Sequence, residues 1–332
     1  RTVSFYRYLV QNQLAPRVYL YIIVSFVGGI MTLSTFLELV EMKAKTASVF
    51  PFIVGLFFSW YILGSVNILY SIIFFVAMLL FNMNVDILDN YNDFHHSDYA
   101  EWKKKTNIIG RESIPMKLVI FLMVTFTGIS AIMGIYLTVK VGLPVLWMGL
   151  FCFLIGIMYS SGPRPISNTP FGEIASGVTM GFVITLISVY VNSFQIFNWS
   201  WVTLGKVFLA SLPEVIWIGN IMLANNICDH GEDEKNNRTT LIHYIGVKAG
   251  LWLFIFSNIL AYLTIFLNIY IGIFPVALLG SLLVVPLIYK QANIFYHKQV
   301  KRETFVCSVR IAILGSVGLC IGFILYLILD LI

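Results

Sequence analysis

Two clusters of carboxylates and carboxamides are conspicuous in a chain that is 59% hydrophobic and only 11% charged. We refer to residues 86–93 as the first acidic motif and to residues 225–233 as the second acidic motif. On a helix, side chains three or four positions apart lie on the same face. The residues that share a face are Asp86, Asp89 or Asn90, and Asp93 in the first motif, and Asn225 or Asn226, Asp229 and Asp233 in the second.

The chemistry that suits two such faces is the binding of divalent cations. Each cluster alone would repel itself and would be costly to desolvate, whereas a divalent cation between the two faces turns repulsion into ligation. Hard oxygen ligands suit Mg²⁺, which keeps its waters and is usually shared with substrate phosphates. The motifs therefore predict a Mg²⁺-diphosphate site. Its candidate metal ligands are Asp86, Asp89, Asn90, Asp93, Asn225, Asp229 and Asp233.

Basic residues that could bind a diphosphate follow both motifs. Lys105 and Arg111 come after the first motif, and Arg238 comes after the second. For the lysine run at 103–105, membrane topology and contact with anionic lipids are the favoured explanation of the charge. Arg164 differs because it lies in the short turn Gly-Pro-Arg-Pro, which would fix one guanidinium between two apolar segments for diphosphate binding.

The elements that must position these residues are membrane helices. The 332-residue chain has a mean hydropathy of +0.87 and repeated apolar runs, which predict an all-α polytopic membrane protein. This excludes a soluble enzyme or a secreted domain, and no nucleic-acid partner is expected. The four cysteines show no paired spacing, so no disulfide framework or thiolate metal site is implied. The nine predicted spans are 46–64, 66–88, 115–138, 142–160, 172–194, 201–227, 249–269, 271–289 and 308–330.

The distribution of positive charge predicts the orientation of these spans. Sixteen lysines and arginines fall on one side and two on the other, so the first side is cytoplasmic under the positive-inside rule. Both acidic motifs then lie at the cytoplasmic face of the cell membrane. The second motif recurs four spans after the first with the same orientation, as expected of two related halves facing a central cavity. The loops 89–114 and 228–247 would form a cap over it.

The first residues of the chain do not fit this topology. Residues 18–37 are apolar enough to span a membrane, but the sequence from Met31 onward resembles the start of a protein. If 18–37 spanned, the three arginines at 1–17 would lie outside, against the charge rule. We therefore expect residues 31–332 to form the nine-span domain, with residues 1–30 an additional N-terminal segment foreign to it.

Over about residues 31–332 the chain resembles the UbiA superfamily of membrane prenyltransferases. Residues 86–93 are similar to the family pattern Asn-x-x-Asn-Asp-Tyr-x-Asp, and residues 225–233 with 238–241 match its second motif. Residues 159–166 followed by Gly172-Glu173 resemble the branch that acts on 1,4-dihydroxy-2-naphthoate. Asp86 stands where the family more often has Asn, Asp89-Asn90 reverses the usual order, and Glu41 stands where relatives tend to carry a basic residue. Which oxygen binds which ion therefore stays open.

This resemblance implies a nine-helix bundle in which two Mg²⁺ ions bind a polyprenyl diphosphate and assist breakage of its allylic C–O bond. The electron-rich ring of an aromatic acid would attack the resulting carbon. In the naphthoate branch, loss of CO₂ accompanies prenylation and gives demethylmenaquinol. The residues assigned to catalysis are Asp86, Asp89, Asp93, Asp229, Asp233 and Arg164, and those assigned to substrate binding are Asn90, Tyr91, Tyr159, Asn225, Asn226, Lys105, Arg111 and Arg238.

Two other readings compete. The same prenyltransferase architecture could serve another aromatic acceptor. An ion-coupled transporter would also carry membrane carboxylates, but more often near the midplane on broken helices.

Within the spans, Gly177 and Gly181 predict close helix packing. Glu214 lies mid-span, where either a wet cavity or a neutral hydrogen-bonded role would account for it.

Overall fold

The computed structural model describes residues 31–96, 100–235 and 238–330, and within these ranges the ordered elements are all helical. The predicted N-terminal segment 1–30 lies outside the described residues. The helices are α1 (Leu33–Leu39), α2 (Thr46–Leu63), α3 (Ile68–His96), α4 (Ala100–Lys105), α5 (Ile108–Arg111), α6 (Met116–Val141), α7 (Leu143–Ser160), α8 (Gly172–Ser193), α9 (Trp201–Lys235), α10 (Leu241–Tyr270), α11 (Val276–His297) and α12 (Val306–Asp330).

Nine of the described helices are long and apolar enough to cross a membrane, which confirms the number of predicted spans. The boundaries differ at the helices that carry the motifs. Helix α3 continues to His96 and α9 to Lys235, whereas hydropathy placed their ends at 88 and 227. Hydropathy detects only the apolar, membrane-embedded part of a helix. The backbone hydrogen bonds of α3 and α9 continue beyond that part into the polar motifs. Both motifs therefore lie on helical extensions and not in loops.

The beginning of α10 also extends beyond the predicted span. This helix starts at Leu241, eight residues before the predicted start at 249, and contains a kink at Gly246, which has φ 75° and ψ 160°. A positive φ of this size is strained for any residue with a Cβ, so glycine allows the chain to turn between two helical segments. The first segment of α10 thus begins next to the second motif.

A small apolar cluster forms a cap at the end of α3. It holds α1 and α5 against the last turns of that helix through side chains such as Leu39, Ile87 and Ile109, all of them buried. Asn107 begins α5 by accepting a hydrogen bond from the backbone N–H of Ile109, and its amide donates to the backbone oxygen of Asn90. Helix α4 packs against α5, so the cap over the first motif is built from α1, α4 and α5.

Helices α8 and α9 are the two most buried spans and form the centre of the bundle. Residues Gly177–Val183 of α8 are π-helical. A Cβ added to Gly177 would lie 2.6 Å from the carbonyl oxygen of Val215, and one added to Gly181 would lie 2.6 Å from the Cα of Val215. These approaches confirm that the two glycines permit close helix packing.

A Gly181→Leu variant is expected to be destabilised by about 2 kcal/mol or more, because the added side chain meets the backbone of α9, which cannot rotate away. Thermal unfolding of the purified protein in detergent measures this effect. Gly128→Leu in α6 is the matched control, since a Cβ at Gly128 meets nothing within 4 Å. Equal unfolding temperatures for the two variants would contradict the packing argument.

Candidate active site

The two acidic motifs meet at one guanidinium. Arg238 Nη1 lies 3.6 Å from Asp233 Oδ1, and Arg238 Nη2 lies 3.9 Å from Asp93 Oδ1. Burial lowers the pKa of Arg238, but the nearby carboxylates, Asp93 and Asp233 foremost, outweigh it and hold the pKa above its ordinary value. The ends of α3 and α9 that carry the motifs therefore face each other across a space narrow enough for one side chain to bridge.

The Gly-Pro-Arg-Pro turn lies beside this bridge. Asn168, just after the turn, accepts a hydrogen bond from Arg238 Nε at 2.6 Å and one from the backbone N–H of Thr239 at 3.3 Å. The exposed Arg164 donates from Nη2 to the hydroxyl of Thr239 at 3.3 Å. The structure thus brings three segments that the sequence singled out separately into one place.

The second motif binds a lysine that sequence reasoning did not identify. Lys301 Nζ donates to Asn225 Oδ1 and to Asp229 Oδ2. Asn225 also donates from Nδ2 to Asp229 Oδ2 at 3.2 Å, so Asn225 is the carboxamide that shares a face with Asp229. The side chain of Asn226 points elsewhere and donates to Glu173 Oε1 at 2.9 Å. No local pattern could reveal Lys301, because it lies 72 residues from Asp229.

The first motif binds a lysine in the same manner. Lys45 Nζ donates to Asp86 Oδ2, to Asn82 Oδ1 and, at 3.3 Å, to the backbone oxygen of Asn82. Asp86, assigned as a metal ligand, is therefore neutralised by a lysine in this structure. A sequence signal existed, because Asn82 precedes Asp86 by four positions, just as Asn225 precedes Asp229.

Glu41 is close enough to both motifs to interact electrostatically with Asp89 and Asp229. The Glu41 residue is exposed to solvent, but the protein atoms around its carboxyl replace part of its hydration shell. This partial desolvation raises the pKa of the Glu41 carboxyl. Asp89 and Asp229 raise the pKa further by repulsion, whereas Lys45 and Lys301 lower it. Glu41 also has a left-handed backbone, with φ 45° and ψ 50°. Such strain in a residue with a Cβ is typical of functional sites.

Two residues assigned to the site face the cap. The Asn90 amide donates to the backbone oxygens of Leu39 at 3.3 Å and Asp86 at 3.1 Å, which joins α3 to α1. The ring of Tyr91 packs against His95, with centroids 4.4 Å apart, and against the small apolar cluster. Asn90 therefore contacts the cap, whereas Asp89 interacts electrostatically with Glu41 and Arg238.

The basic residues after the first motif also belong largely to the cap. Arg111 is 2.7 Å from Glu38 and 3.1 Å from Glu112, and its hydrogen bonds to these two carboxylates raise its pKa. Lys103 lies over the ring of Phe94 at 5.8 Å. Lys105 is exposed at the end of α4 and also interacts with another group of the protein. A diphosphate would have to compete with the carboxylates for Arg111.

Several buried polar atoms in this region have no hydrogen-bond partner among the described residues. They are Tyr159 Oη, Glu173 Oε2 and Asp233 Oδ2. Tyr159 is close enough to Asp89 and Arg238 to interact with both electrostatically. Buried polar groups are nearly always hydrogen-bonded, so these atoms mark places that a ligand or water would satisfy.

The carboxylates of the two motifs are arranged to share a Mg²⁺ ion with other oxygen ligands. Within the described ranges, no three His, Cys, Asp or Glu side chains are close enough together to hold one ion by themselves. The cationic groups of Arg238, Lys45 and Lys301 lie among them instead. Mg²⁺ commonly takes one or two carboxylates and completes its shell with waters and phosphate oxygens, so an all-oxygen set divided between two helices suits it. The unpartnered oxygen of Asp233 is available for such a role.

Glu214 is separate from this site. Its side chain is buried between α9 and α12, where Oε2 accepts a hydrogen bond from the hydroxyl of Ser316 at 3.0 Å. Its other oxygen, Oε1, is buried without a hydrogen-bond partner among the described residues, so both a hydrogen-bonded structural role and contact with water account for Glu214.

Comparisons with known proteins identify the family of the chain. The sequence model of the UbiA prenyltransferase family matches residues 48–314. The chain belongs to the UbiA prenyltransferase family. It is 32% identical over 231 residues to 1,4-dihydroxy-2-naphthoate octaprenyltransferase of Bacillus subtilis (strain 168), covering 68% of this chain and 70% of that relative. The protein is therefore a prenyltransferase, and the predicted family is confirmed.

Solved structures confirm the fold. The UbiA homologue from Aeropyrum pernix K1 superimposes with a TM-score of 0.66 at 14% identity, covering 88% of this chain and 99% of that one. The UbiA homologue from Archaeoglobus fulgidus bound to DMAPP and Mg²⁺ gives a TM-score of 0.59 at 12% identity, covering 87% and 98%. The all-α, multi-pass membrane architecture predicted from the sequence is thus the architecture of this family.

Proposed function

We propose that this UbiA-family enzyme transfers a polyprenyl group from polyprenyl diphosphate to 1,4-dihydroxy-2-naphthoate with loss of CO₂, giving demethylmenaquinol. The main support for the site is that Asp93 and Asp233 both lie within 4 Å of Arg238. Arg238 thereby links two motifs whose aspartates are 140 positions apart in the chain. The acceptor is proposed from the name of the Bacillus subtilis relative and from the segments 159–166 and 172–173.

Mg²⁺ would be held by oxygens from both motifs, and it supplies charge neutralisation for the departing diphosphate when bound. The residues proposed to hold it are Asp89, Asp93, Asn225, Asp229 and Asp233. Asp86 and Asn90 are weaker candidates, because the first is paired with Lys45 and the second donates to backbone oxygens. The Archaeoglobus fulgidus homologue bound to DMAPP and Mg²⁺ supports a metal-diphosphate site.

Arginines are proposed to bind the donor. The planar guanidinium groups of Arg164 and Arg238 match phosphate oxygens in pairs, and both lie beside the second motif. Lys105 is proposed as a further cation for the diphosphate. Tyr159 is proposed to stabilise the cationic carbon through its ring face, since it lies near Asp89 and Arg238.

The proposed reaction balances without a covalent enzyme intermediate. The allylic C–O bond breaks and its electron pair leaves with the diphosphate. A C–C bond forms between the allylic carbon and the ring carbon that bears the carboxylate. The bond to that carboxylate then breaks, CO₂ leaves, and its electron pair restores the aromatic ring. The protein's residues bind the diphosphate, orient the ring and exclude water.

We also propose that the site opens to the cytoplasm. Support comes from the sixteen lysines and arginines predicted on the motif side, against two on the other.

Turnover of two acceptors tests the proposed function. Purified protein with Mg²⁺ and a labelled polyprenyl diphosphate is expected to prenylate 1,4-dihydroxy-2-naphthoate with release of CO₂. We expect 4-hydroxybenzoate to be a poor substrate and EDTA to stop the reaction, because the motif carboxylates would then repel the diphosphate. Efficient turnover of 4-hydroxybenzoate with its carboxylate retained would refute the naphthoate assignment and leave prenyl transfer to another aromatic acceptor.

A further inference from the structure

Both acidic motifs hold a lysine ammonium in the same geometry. At each motif, the ammonium lies between the carboxylate oxygen of a motif aspartate and the carboxamide oxygen of the asparagine four positions before it, hence one helical turn away. The lysines come from distant segments, Lys45 from the residue immediately before α2 and Lys301 from the connection between α11 and α12. Their acceptors are Asn82 with Asp86 for Lys45, and Asn225 with Asp229 for Lys301. Each ammonium therefore occupies a position in which the same two side-chain oxygens could instead bind a metal ion.

Burial distinguishes the two lysines. The side chain of Lys45 is 4% exposed and that of Lys301 is 43% exposed, while their partners Asp86 and Asp229 are similar at 22% and 20%. Removing one partner from a buried ion pair is costly, whereas an exposed pair contributes little and is easily exchanged. Lys45 is therefore a fixed counter-ion of Asp86, and Lys301 is free to exchange Asp229 for another anion.

We propose that Lys301 is a removable counter-ion of the second motif that becomes a ligand of the donor diphosphate. It neutralises Asp229 before a divalent cation arrives, leaves when the cation binds, and then contacts phosphate oxygens. This inference rests on the proposed function, which supplies a diphosphate as the donor.

Competition for one oxygen gives the physical basis. Mg²⁺ binds carboxylate oxygen directly, at about 2.1 Å, so an ammonium bonded to the same Asp229 oxygen would be strongly repelled. A diphosphate that shares the ion with Asp229 would bring its own oxygens to the position that the ammonium has just left. Lysine is a compact charge on a flexible four-carbon chain and is well suited to move over this short distance. The gain is a charge-assisted hydrogen bond to phosphate.

Lys301 also influences the other wall of the site. It lowers the pKa of Glu41, which belongs to the segment between α1 and α2, so its charge acts on both sides of the space between the motifs. Its ammonium lies 5.1 Å from the centre of the Phe305 ring, a contact that can steady the side chain without fixing it.

Lys301→Met tests the proposal without any turnover. Mn²⁺ titrated into the purified protein and followed by electron paramagnetic resonance is expected to bind about two- to fivefold more tightly, because an exposed ion pair no longer competes. Geranyl thiodiphosphate, an uncleavable donor, is expected to bind about tenfold more weakly in the presence of Mg²⁺, because one charged hydrogen bond is lost. The unfolding temperature should stay the same, since Lys301 is half-exposed.

Arg302→Met is the matched control, because it removes the neighbouring exposed positive charge and should change neither affinity. Unchanged or weaker Mn²⁺ binding by Lys301→Met would overturn the proposal, and so would unchanged donor affinity. Neither measurement needs an aromatic acceptor, so failure to prenylate the naphthoate would refute the proposed function and leave these two results to decide the role of Lys301.

Discussion

Asp229→Ala is expected to lower prenyl-transfer turnover by at least about a thousandfold while the protein still folds. Asp229 is the carboxylate at the centre of the second motif, hydrogen-bonded to Asn225 and paired with Lys301. Alanine cannot hold a divalent cation, so the charge that develops on the departing diphosphate would stay uncompensated. The fold should survive, because the pair with Lys301 is partly exposed and contributes at most about 1 kcal/mol.

Steady-state turnover with saturating Mg²⁺ measures this loss, and thermal unfolding in detergent verifies the fold. Glu234→Ala is the control from the same helix. Its carboxylate is exposed and lies 3.6 Å from His230, so its removal should leave turnover close to that of the unaltered protein. Near-normal turnover by a folded Asp229→Ala variant would refute the assignment of the second motif to a metal site.

Arg238→Met is expected to lower turnover by about a hundredfold and to destabilise the metal-free protein by about 2 kcal/mol. The substitution removes a guanidinium that lies within 4 Å of both Asp93 and Asp233, and Asp233 is almost fully buried. Two facing carboxylates would then repel each other across the site. Mg²⁺ neutralises the same charges, so it should raise the unfolding temperature of the variant more than that of the unaltered protein.

Thermal unfolding with EDTA and then with Mg²⁺ measures this difference. Arg238→Lys is the matched control, since it keeps the charge but cannot contact Asp93, Asp233 and Asn168 at once. We expect it to recover most of the metal-free stability and only part of the turnover. Equal stabilisation of Arg238→Met and the unaltered protein by Mg²⁺ would show that metal and guanidinium do not neutralise the same carboxylates.

The sequence by itself determined the architecture and the location of the chemistry. Long apolar runs can satisfy their backbone hydrogen bonds in a bilayer only as helices, so hydropathy alone determined an all-helical bundle with nine spans. Carboxylates spaced three or four apart at the ends of two such runs must lie on one face of each helix. This local periodicity is why the two motifs were evident without coordinates, whereas the family was indicated by the resemblance of the motif residues to its known patterns.

Hydropathy did not determine where the motif helices end. Polar side chains can continue a helix into water as easily as they can form a loop, so α3 reached His96 and α9 reached Lys235 beyond the predicted ends. The choice between Asn225 and Asn226 was likewise open, because adjacent residues differ by only about 100° around a helix. Contacts from other segments decided it, with Lys301 binding Asn225 and Glu173 binding Asn226.

Only the tertiary structure revealed the cations of the site. Lys45 reaches Asp86 across 41 positions, and Lys301 reaches Asp229 across 72. In a chain with many positive charges on one side of the membrane, the charge rule explains every lysine equally and cannot select two of them. Their selection depends on how α2 and the connection before α12 pack against the motif helices. Packing of this kind joins residues that periodicity leaves unrelated, because periodicity describes one helix at a time.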